Sequence, residues 1–299
     1  MDYGSVLKKG WEITWKNKGL WILGILSGCT SGAGNPSQTF SYQTSGQEYP
    51  GLERTLASVP EELWILILVG LAILAVLFTV AVVVLSILGQ AGLIAGVAHA
   101  DETGSVKLSQ AWKLGLPHFW RLLGLAVVLI AVVLLVALAV GLLTVVTLGL
   151  AALCLIPLVC VLIPLSVILS GYLSLVQNGI VLGKQGVFEA MGKGWAMLRA
   201  HFWPITLMAV ILFVIGAVAG LILSAPLLLA SLPLLAVAAS QPEQGLTAFL
   251  PLIGCFVLYL PVMIIVGGIL KTYVSGVWTL TYRRLSGSGL AAIAVPPPS

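Results

Sequence analysis

Charged side chains are scarce in this sequence, where they make up only 8% of the 299 residues. A soluble domain carries about 25% charged residues. Hydrophobic residues reach 60%, and the mean hydropathy is +1.12. Such a composition cannot cover a water-facing surface, so it excludes a soluble domain and predicts a polytopic membrane protein. The net charge of +4 does not indicate a nucleic-acid partner, because the charges are distributed by membrane side.

The patterns that carry enzyme chemistry are also missing. The four cysteines form no metal-type or redox-type pair, and Cys154, Cys160 and Cys255 lie in apolar runs, where a thiol is usually a small hydrophobe. We find no Ser/His/Asp arrangement, no paired carboxylates within a span and no phosphate-binding glycine loop before a helix. The sequence therefore predicts no enzyme, no metal and no cofactor.

Tryptophan-rich basic stretches are present instead. Residues 187–203 (VFEAMGKGWAMLRAHFW) and 106–120 (VKLSQAWKLGLPHFW) both contain W-x5-HFW and run into apolar segments. Residues 3–18 form a looser third copy, whose apolar residues follow helical spacing with lysines on the other face. Such helices lie in the membrane interface. The predicted interface anchors are Trp11, Trp15, Trp21, Trp112, His118, Trp120, Trp195, His201 and Trp203.

The two HFW motifs could also indicate a metal site, with His99 as a third ligand. This interpretation is weaker than that of interface anchors. Carboxylates or thiolates at ligand spacing are missing around these histidines. An aromatic pair beside a histidine is typical of an interface anchor.

Five apolar runs predict transmembrane helices at about 63–88, 122–146, 150–182, 204–223 and 247–270. A sixth run at 20–28 is well under the ~20 residues that span a bilayer, and it either crosses or is re-entrant. If this run crosses, thirteen of the fourteen Lys and Arg fall on one side of the membrane, and Arg54 alone lies on the other. Basic residues normally concentrate on the cytoplasmic side, so this partition favours a crossing. We therefore expect six spans with both termini cytoplasmic, in a bacterial cytoplasmic (inner) membrane.

The chain divides into three similar units within a single membrane domain, 1–299. The units are 5–104, 105–185 and 186–285, and each contains an interfacial helix, a span, an outer loop and a long returning span. Two spans per unit give parallel repeats around an axis along the membrane normal. The predicted fold is all-α integral membrane: six transmembrane helices in three two-span repeats, each preceded by a cytoplasmic amphipathic helix. Residues 30–61 are expected to form an exposed extracytoplasmic loop and 286–299 a flexible cytoplasmic tail.

Residues 15–21 (WKNKGLW), 92–120, and 188–190 (FEA) with Trp195 and 198–199 (LR) carry a family resemblance. The chain resembles uncharacterised bacterial polytopic membrane proteins related to the membrane domain found fused to some glycerophosphodiester phosphodiesterases. The phosphodiesterase domain itself has no counterpart in this sequence. The resemblance implies a membrane fold and a lipid-facing role, without hydrolase activity.

Four polar residues stand inside the predicted spans: Gln90, Gln177, Asn178 and Lys271. Polar and charged groups in a span are functional candidates by default. These four lie toward the cytoplasmic ends of long helices, where interhelical hydrogen bonds or headgroup contacts are favoured over a transport site, and Lys271 can snorkel to the interface.

Cys29 is a candidate lipidation site. Residues 26–29 (LSGC) match the end of a bacterial lipoprotein signal. The preceding segment is long for a signal, carries Asp2 and Glu12, and is one of the three repeat copies. These departures favour an unprocessed N-terminus, and intact mass decides between the two.

Two function classes remain. The first is a non-catalytic membrane protein that binds anionic headgroups on the cytoplasmic side or serves as a scaffold for an unknown membrane protein partner. The alternative is a transporter or channel for a hydrophobic or lipid-like substrate. Three two-span repeats are similar to the mitochondrial carrier architecture, but the Pro-x-[Asp/Glu]-x-x-[Lys/Arg] gate motif is absent from all three units.

Overall fold

The computed structural model describes residues 2–32, 61–146, 150–240 and 245–290, and the regular structure within these ranges is helical. A 3₁₀ turn, Leu116–His118, joins the helix Leu108–Gly115 to the helix Phe119–Val146. The helices are α1 (Tyr3–Lys16), α2 (Gly19–Gly32), α3 (Glu61–Thr103), α4 (Leu108–Gly115), α5 (Phe119–Val146), α6 (Leu150–Leu182), α7 (Val187–Ala200), α8 (Phe202–Ser240) and α9 (Gly245–Leu290).

Two predicted segments fall largely outside the described residues. They are most of the predicted loop 30–61, including Arg54, and the predicted tail beyond Leu290. The helices α2 and α9 each run a few residues into these segments, to Gly32 and Leu290.

Five helices are long and apolar enough to cross a membrane. The spans are Leu66–Thr103, Leu108–Leu143, Pro164–Leu182, Phe202–Leu229 and Gly254–Gly287. These apolar helices agree with the predicted multi-pass membrane protein. The apolar part of α2, Gly19–Gly28, is shorter. All 14 residues of α2 cover about 21 Å at 1.5 Å per residue, against a hydrocarbon core of about 30 Å.

The helices α3, α6 and α9 contact one another pairwise and form the centre of the bundle. Around them, α2 packs on α9 and α3, α5 on α3 and α6, and α8 on α6 and α9. The short helices lie at one end, with α1 on α9, α4 on α3 and α7 on α6. We call this the charged end, because α3, α6 and α9 finish there among acidic and basic side chains.

Buried side chains concentrate in the half of the bundle near the charged end. They include Leu23, Leu93, Leu125, Val176 and Val277, each at most 2% exposed. In the opposite half, residues 66–81 of α3 are exposed on every face, although nearly all are apolar. Exposure of apolar side chains costs little in hydrocarbon, unlike in water. This half of the bundle is therefore suited to contact with lipid tails.

Small residues bring the short helices against the central ones. A Cβ added at Gly10 of α1 would lie 2.8 Å from Val277 Cγ2, and one at Gly194 of α7 would lie 2.9 Å from Val176 Cγ2. A Cβ added at Gly96 of α3 would lie 2.8 Å from the Cβ of Ala111 in α4. Close backbone approach of this kind is typical of membrane helix pairs.

The turns after α3 and α6 use the left-handed backbone region. Gly104 has φ +80° and Lys184 has φ 51°. A residue in this region commonly ends a helix, and glycine adopts it without steric cost. The Lys184 carbonyl accepts a hydrogen bond from Arg121 Nη1 of α5, which holds the second turn in place.

Candidate functional site

An ion-pair network links α1, α3 and α9 at the charged end. Asp101, at the end of α3, pairs with Lys9 of α1 and, at 2.7 Å, with Arg283 of α9. Arg283 also pairs with Glu102 at 2.7 Å and donates to the Ala98 carbonyl at 3.0 Å. The Asp101 side chain is only 14% exposed. The network therefore joins the first helix of the chain to the last one through α3.

The structure brings the predicted tryptophan anchors around the charged end in two settings. Trp120 and Trp203 point outward, 77% and 78% exposed, and each meets the preceding phenylalanine edge to face at 5.9 and 6.2 Å. Trp11 and Trp195 instead lie edge-on against tyrosines of the central helices, Tyr273 at 5.8 Å and Tyr172 at 6.2 Å.

The remaining anchors vary in burial. Trp15 is exposed and contacts both Trp11 and Trp21, at 5.5 and 5.3 Å between ring centroids. The Trp21 indole donates to the Thr14 carbonyl at 2.8 Å. Trp112 is partly buried against the main apolar core.

The two anchor histidines also differ. His201 is exposed and ends α7, donating its backbone N–H to the Met197 carbonyl at 3.0 Å, whereas His118 is partly buried. Among the described residues, no group of three His, Cys, Asp or Glu is placed to hold a metal.

Basic side chains accompany these rings on the short helices. The Arg199 guanidinium lies 4.8 Å from the centre of the Trp195 ring, within cation–π distance. Lys193 pairs with Glu189 one turn away at 2.7 Å on the exposed face of α7. The hydrogen bond and charge of Lys193 hold the pKa of the Glu189 carboxyl below its ordinary value.

Asn17 is a connecting residue that sequence reasoning missed. Its backbone N–H and its side-chain amide both donate to the Ile13 carbonyl at 3.1 Å, which caps α1. Its Oδ1 accepts from the backbone N–H of Val106 at 2.9 Å. Asn17 thus ties the end of α1 to the turn before α4. The signal in the sequence is Trp11-x5-Asn17, which has the spacing of the two W-x5-H motifs.

A cavity of about 160 Å³ lies where α2, α3, α5, α6 and α9 meet, and we call it the polar cavity. One part of its wall is apolar, formed by Ile87, Leu122, Leu125, Ala126 and Leu129. The rest carries polar groups, from Ser27, Ser86, Gln90, Gln177 and Lys271. Gln90 Nε2 donates to Gln177 Oε1 at 3.1 Å, and Ser86 Oγ donates to the Ser27 carbonyl at 3.3 Å.

The distance of the polar cavity from the charged end differs among the helices that line it. Lys271 precedes Arg283 by twelve residues, which is about 18 Å along α9. Gln90 precedes Asp101 by eleven residues, or about 16 Å along α3. Three of the four predicted polar residues therefore meet in this cavity, about three helical turns before the charged ends of α3 and α9. On α6 the cavity is nearer to that end, because Gln177 lies five residues before Leu182. Asn178, the fourth, is absent from this cavity's lining; it is buried and donates to the Ser174 carbonyl at 2.7 Å.

A larger cavity, of about 850 Å³, opens at the charged end between α3, α6, α7 and α9. Its polar wall includes Glu102, Gln185, Lys193, Tyr282 and Arg283. Both basic side chains of this wall are already in ion pairs, Arg283 with Asp101 and Glu102 and Lys193 with Glu189.

Comparison of the chain with protein-family models, with curated proteins and with solved structures gave no match. The fold and site define the chain as an all-helical protein with membrane-spanning character. The Cys29 side chain lies outside the described residues, and Cys255 is exposed on α9.

Proposed function

We propose that this chain is a non-catalytic multi-pass protein of the bacterial cytoplasmic membrane, whose charged end binds anionic lipid headgroups. The observation that carries the proposal is the band formed by the outward-facing tryptophans at the starts of α5 and α8 and the exposed basic side chains on or beside α1, α4 and α7. A basic residue near an anionic surface contributes about 1 kcal/mol of attraction. Tryptophan rings are favoured at the same depth, among the headgroups.

The position of α1 supports the proposal of six spans. This helix packs at the charged end, where Lys9 pairs with Asp101 and Arg284 donates to Ser5 Oγ at 2.7 Å. The first residue of α3, Glu61, lies 42 residues before Thr103, about 63 Å away along one continuous helix. Residues 17 and 61 therefore lie toward opposite ends of the bundle. This supports a crossing that begins with α2, with both termini on the cytoplasmic side.

Three repeats are supported by the cyclic order of the contacts. Each short helix packs on the returning helix of the preceding unit: α4 on α3, α7 on α6, and α1 on α9, which closes the ring. The next helix of each unit then lies between that returning helix and its own. A Cβ added at Gly10 would lie 2.8 Å from Val277 Cγ2, and one added at Gly194 would lie 2.9 Å from Val176 Cγ2. This similarity is expected for a common ancestral unit.

Lipid selectivity tests the proposal. The protein, reconstituted in equal phosphatidylglycerol and phosphatidylcholine and then extracted gently, should retain phosphatidylglycerol preferentially in native mass spectrometry. Replacing Lys8, Lys18 and Lys113 by Gln should reduce that preference, because all three are exposed on or beside α1 and α4. Lys271→Met is the matched control, since Lys271 lies away from the charged end. Equal retention of both lipids by the wild type would contradict the proposal.

A second candidate function, transport of a lipid-like substrate, is favoured by the polar cavity. A polar site within the span of a membrane bundle is the usual place for a substrate. Proteoliposomes that show protein-dependent flux of a labelled amphiphile would establish transport. Selective lipid retention without flux would favour the non-catalytic binding function.

A further inference from the structure

We propose that the polar cavity binds the carboxylate headgroup of a single-chain amphiphile, such as a long-chain fatty acid. Its acyl chain then lies along α5 toward the lipid-exposed half of the bundle. The inference rests on the proposed lipid-interacting function, but it concerns a different part of the molecule from the headgroup band at the charged end.

The chemistry of the lining favours an anion. Lys271 contributes an amino group that can carry a positive charge, and none of the described residues that line the cavity has a carboxylate. Gln177 accepts from Gln90 through Oε1 and carries its own Nε2 donor on the same side chain. A carboxylate accepts hydrogen bonds from both kinds of donor, and charge-assisted bonds of this type are about twice as strong as neutral ones. In a low-dielectric interior, such a pair is strengthened further because water does not screen it.

The volume limits the headgroup. A cavity of about 150 Å³ in another protein holds one benzene molecule, and the polar cavity measures about 160 Å³. This space admits a carboxylate and a few methylene groups. It does not admit a glycerophosphate headgroup together with two acyl chains.

The rest of the chain has an apolar path outward. Leu122, Leu125 and Leu129 line the cavity on one stripe of α5. The same stripe continues through Val133 and Val136, which are exposed. Gln90, Gln177 and Lys271 are themselves half-buried rather than enclosed, so the cavity is accessible from the surface. An acyl chain on this stripe would have protein on one side and bilayer lipid on the other.

Binding of labelled palmitate to the purified full-length protein tests the inference. Lys271→Met should weaken palmitate binding by roughly tenfold or more, because it removes the charged donor and keeps an unbranched side chain. Lys184→Met, which removes an exposed lysine of the turn after α6 that does not line the cavity, should leave the affinity unchanged. Hexadecanol, which has the same chain and no charge, should compete at least roughly tenfold less well than palmitate. Equal binding by wild type and Lys271→Met, or equal competition by hexadecanol, would overturn the proposal.

A second measurement uses the wild-type protein, so it does not depend on whether a variant folds. Dicyclohexylcarbodiimide, added to wild-type protein with bound palmitate, should couple the carboxylate to the Lys271 amine as an amide, which peptide mass mapping detects. Acylation confined to lysines of α1, α4 and α7 would refute the site. Lysophosphatidylglycerol tests the phosphate alternative, since stronger displacement by it than by palmitate would reject a carboxylate site. Failure of these tests leaves phosphatidylglycerol retention at the charged end unaffected, so the two proposals fail separately.

Discussion

Trp120 and Trp203 test whether equivalent residues carry equivalent roles. Both rings are more than three-quarters exposed, and each meets edge to face the phenylalanine that begins its own long helix. Because each ring has few protein contacts to lose, truncation should act through the lost interface anchor. We expect Trp120→Ala and Trp203→Ala to lower membrane-inserted yield to a similar extent, as measured by the folded fraction in isolated membranes.

Trp120→Tyr and Trp203→Tyr are the controls, since tyrosine is also favoured at the interface, and both should retain most of the yield. If one alanine variant is silent while the other abolishes folding or lipid binding, the two residues are not equivalent. A distinct role for one HFW motif would then have to be sought.

Asp101 is expected to be the most sensitive charged residue at the charged end. Its carboxylate is mostly buried and is shared by Lys9 and Arg283, so removal of its charge leaves two cations facing each other. Asp101→Asn should lower the free energy of unfolding by about 1–2 kcal/mol, the value being limited by the exposure of Lys9. Denaturation in mixed micelles with increasing dodecyl sulfate measures this change.

Glu189→Gln is the matched control for Asp101→Asn. It breaks an ion pair of the same length, 2.7 Å, but on a fully solvated face of α7. No measurable change in stability is expected. An equal loss of stability in both variants would mean that it arises from the change in net charge and not from the buried ion-pair network.

Single residues could be predicted where the signal is local. The last tryptophan of each W-x5-HFW motif, Trp120 or Trp203, faces outward, and its role as an interface anchor stays a prediction. Asp101 gave no such signal, since its partners come from the first and last helices of the chain. The pairing of Gln90 with Gln177, 87 residues apart, likewise requires knowing which helices are neighbours.

At the scale of the helix, the contact of α7 with α6 depends on Gly194. A side chain added there would meet Val176 and Tyr172 on the central helix. Gly194→Leu should therefore destabilise the protein by about 1–3 kcal/mol, as overpacking does in closely packed cores. Thermal denaturation in detergent, followed by the loss of helical circular dichroism, would measure the change.

Gly192, two residues earlier on the same helix, provides the control. A Cβ at Gly192 meets nothing within 4 Å. Gly192→Leu should be neutral or slightly stabilising, because leucine has the higher helix propensity. If both substitutions change the stability equally, the contact of α7 with α6 does not depend on Gly194.

Helix positions followed from hydropathy, but helix faces did not. Residues 66–81 are apolar on every side, so no periodicity marks which side meets protein and which meets lipid. The short helices differ, because their lysines mark the outer face. For α1, the residues in contact with the bundle, Val6, Gly10, Ile13 and Thr14, fall within the face predicted from spacing or next to it.

For the whole molecule, the polar cavity illustrates what the sequence alone cannot supply. Gln90, Gln177 and Lys271 stand on three different helices, and each could face lipid, a neighbour or the bundle centre. Only the mutual contact of α3, α6 and α9 brings them together. The repeat predicted from residues 106–120 and 187–203 indicates an arrangement around an axis, but it does not give the depth or the rotation of each helix.

The number of crossings is the property of the whole molecule on which orientation depends. In a cysteine-free background, single cysteines replacing Lys8, Ser105 and Gly186 should react with a membrane-impermeant maleimide only in inside-out vesicles. A cysteine replacing Glu61 should react only in intact cells with a permeable outer envelope. The reason is geometric: Lys8 adjoins the Asp101 network at the charged end, whereas Glu61 lies about 63 Å away along α3. If Lys8 and Glu61 were labelled from the same side, the chain would not cross between α1 and α3. Five spans would then remain, and the basic side chains of α1 would have to leave the charged end on which the proposed headgroup binding depends.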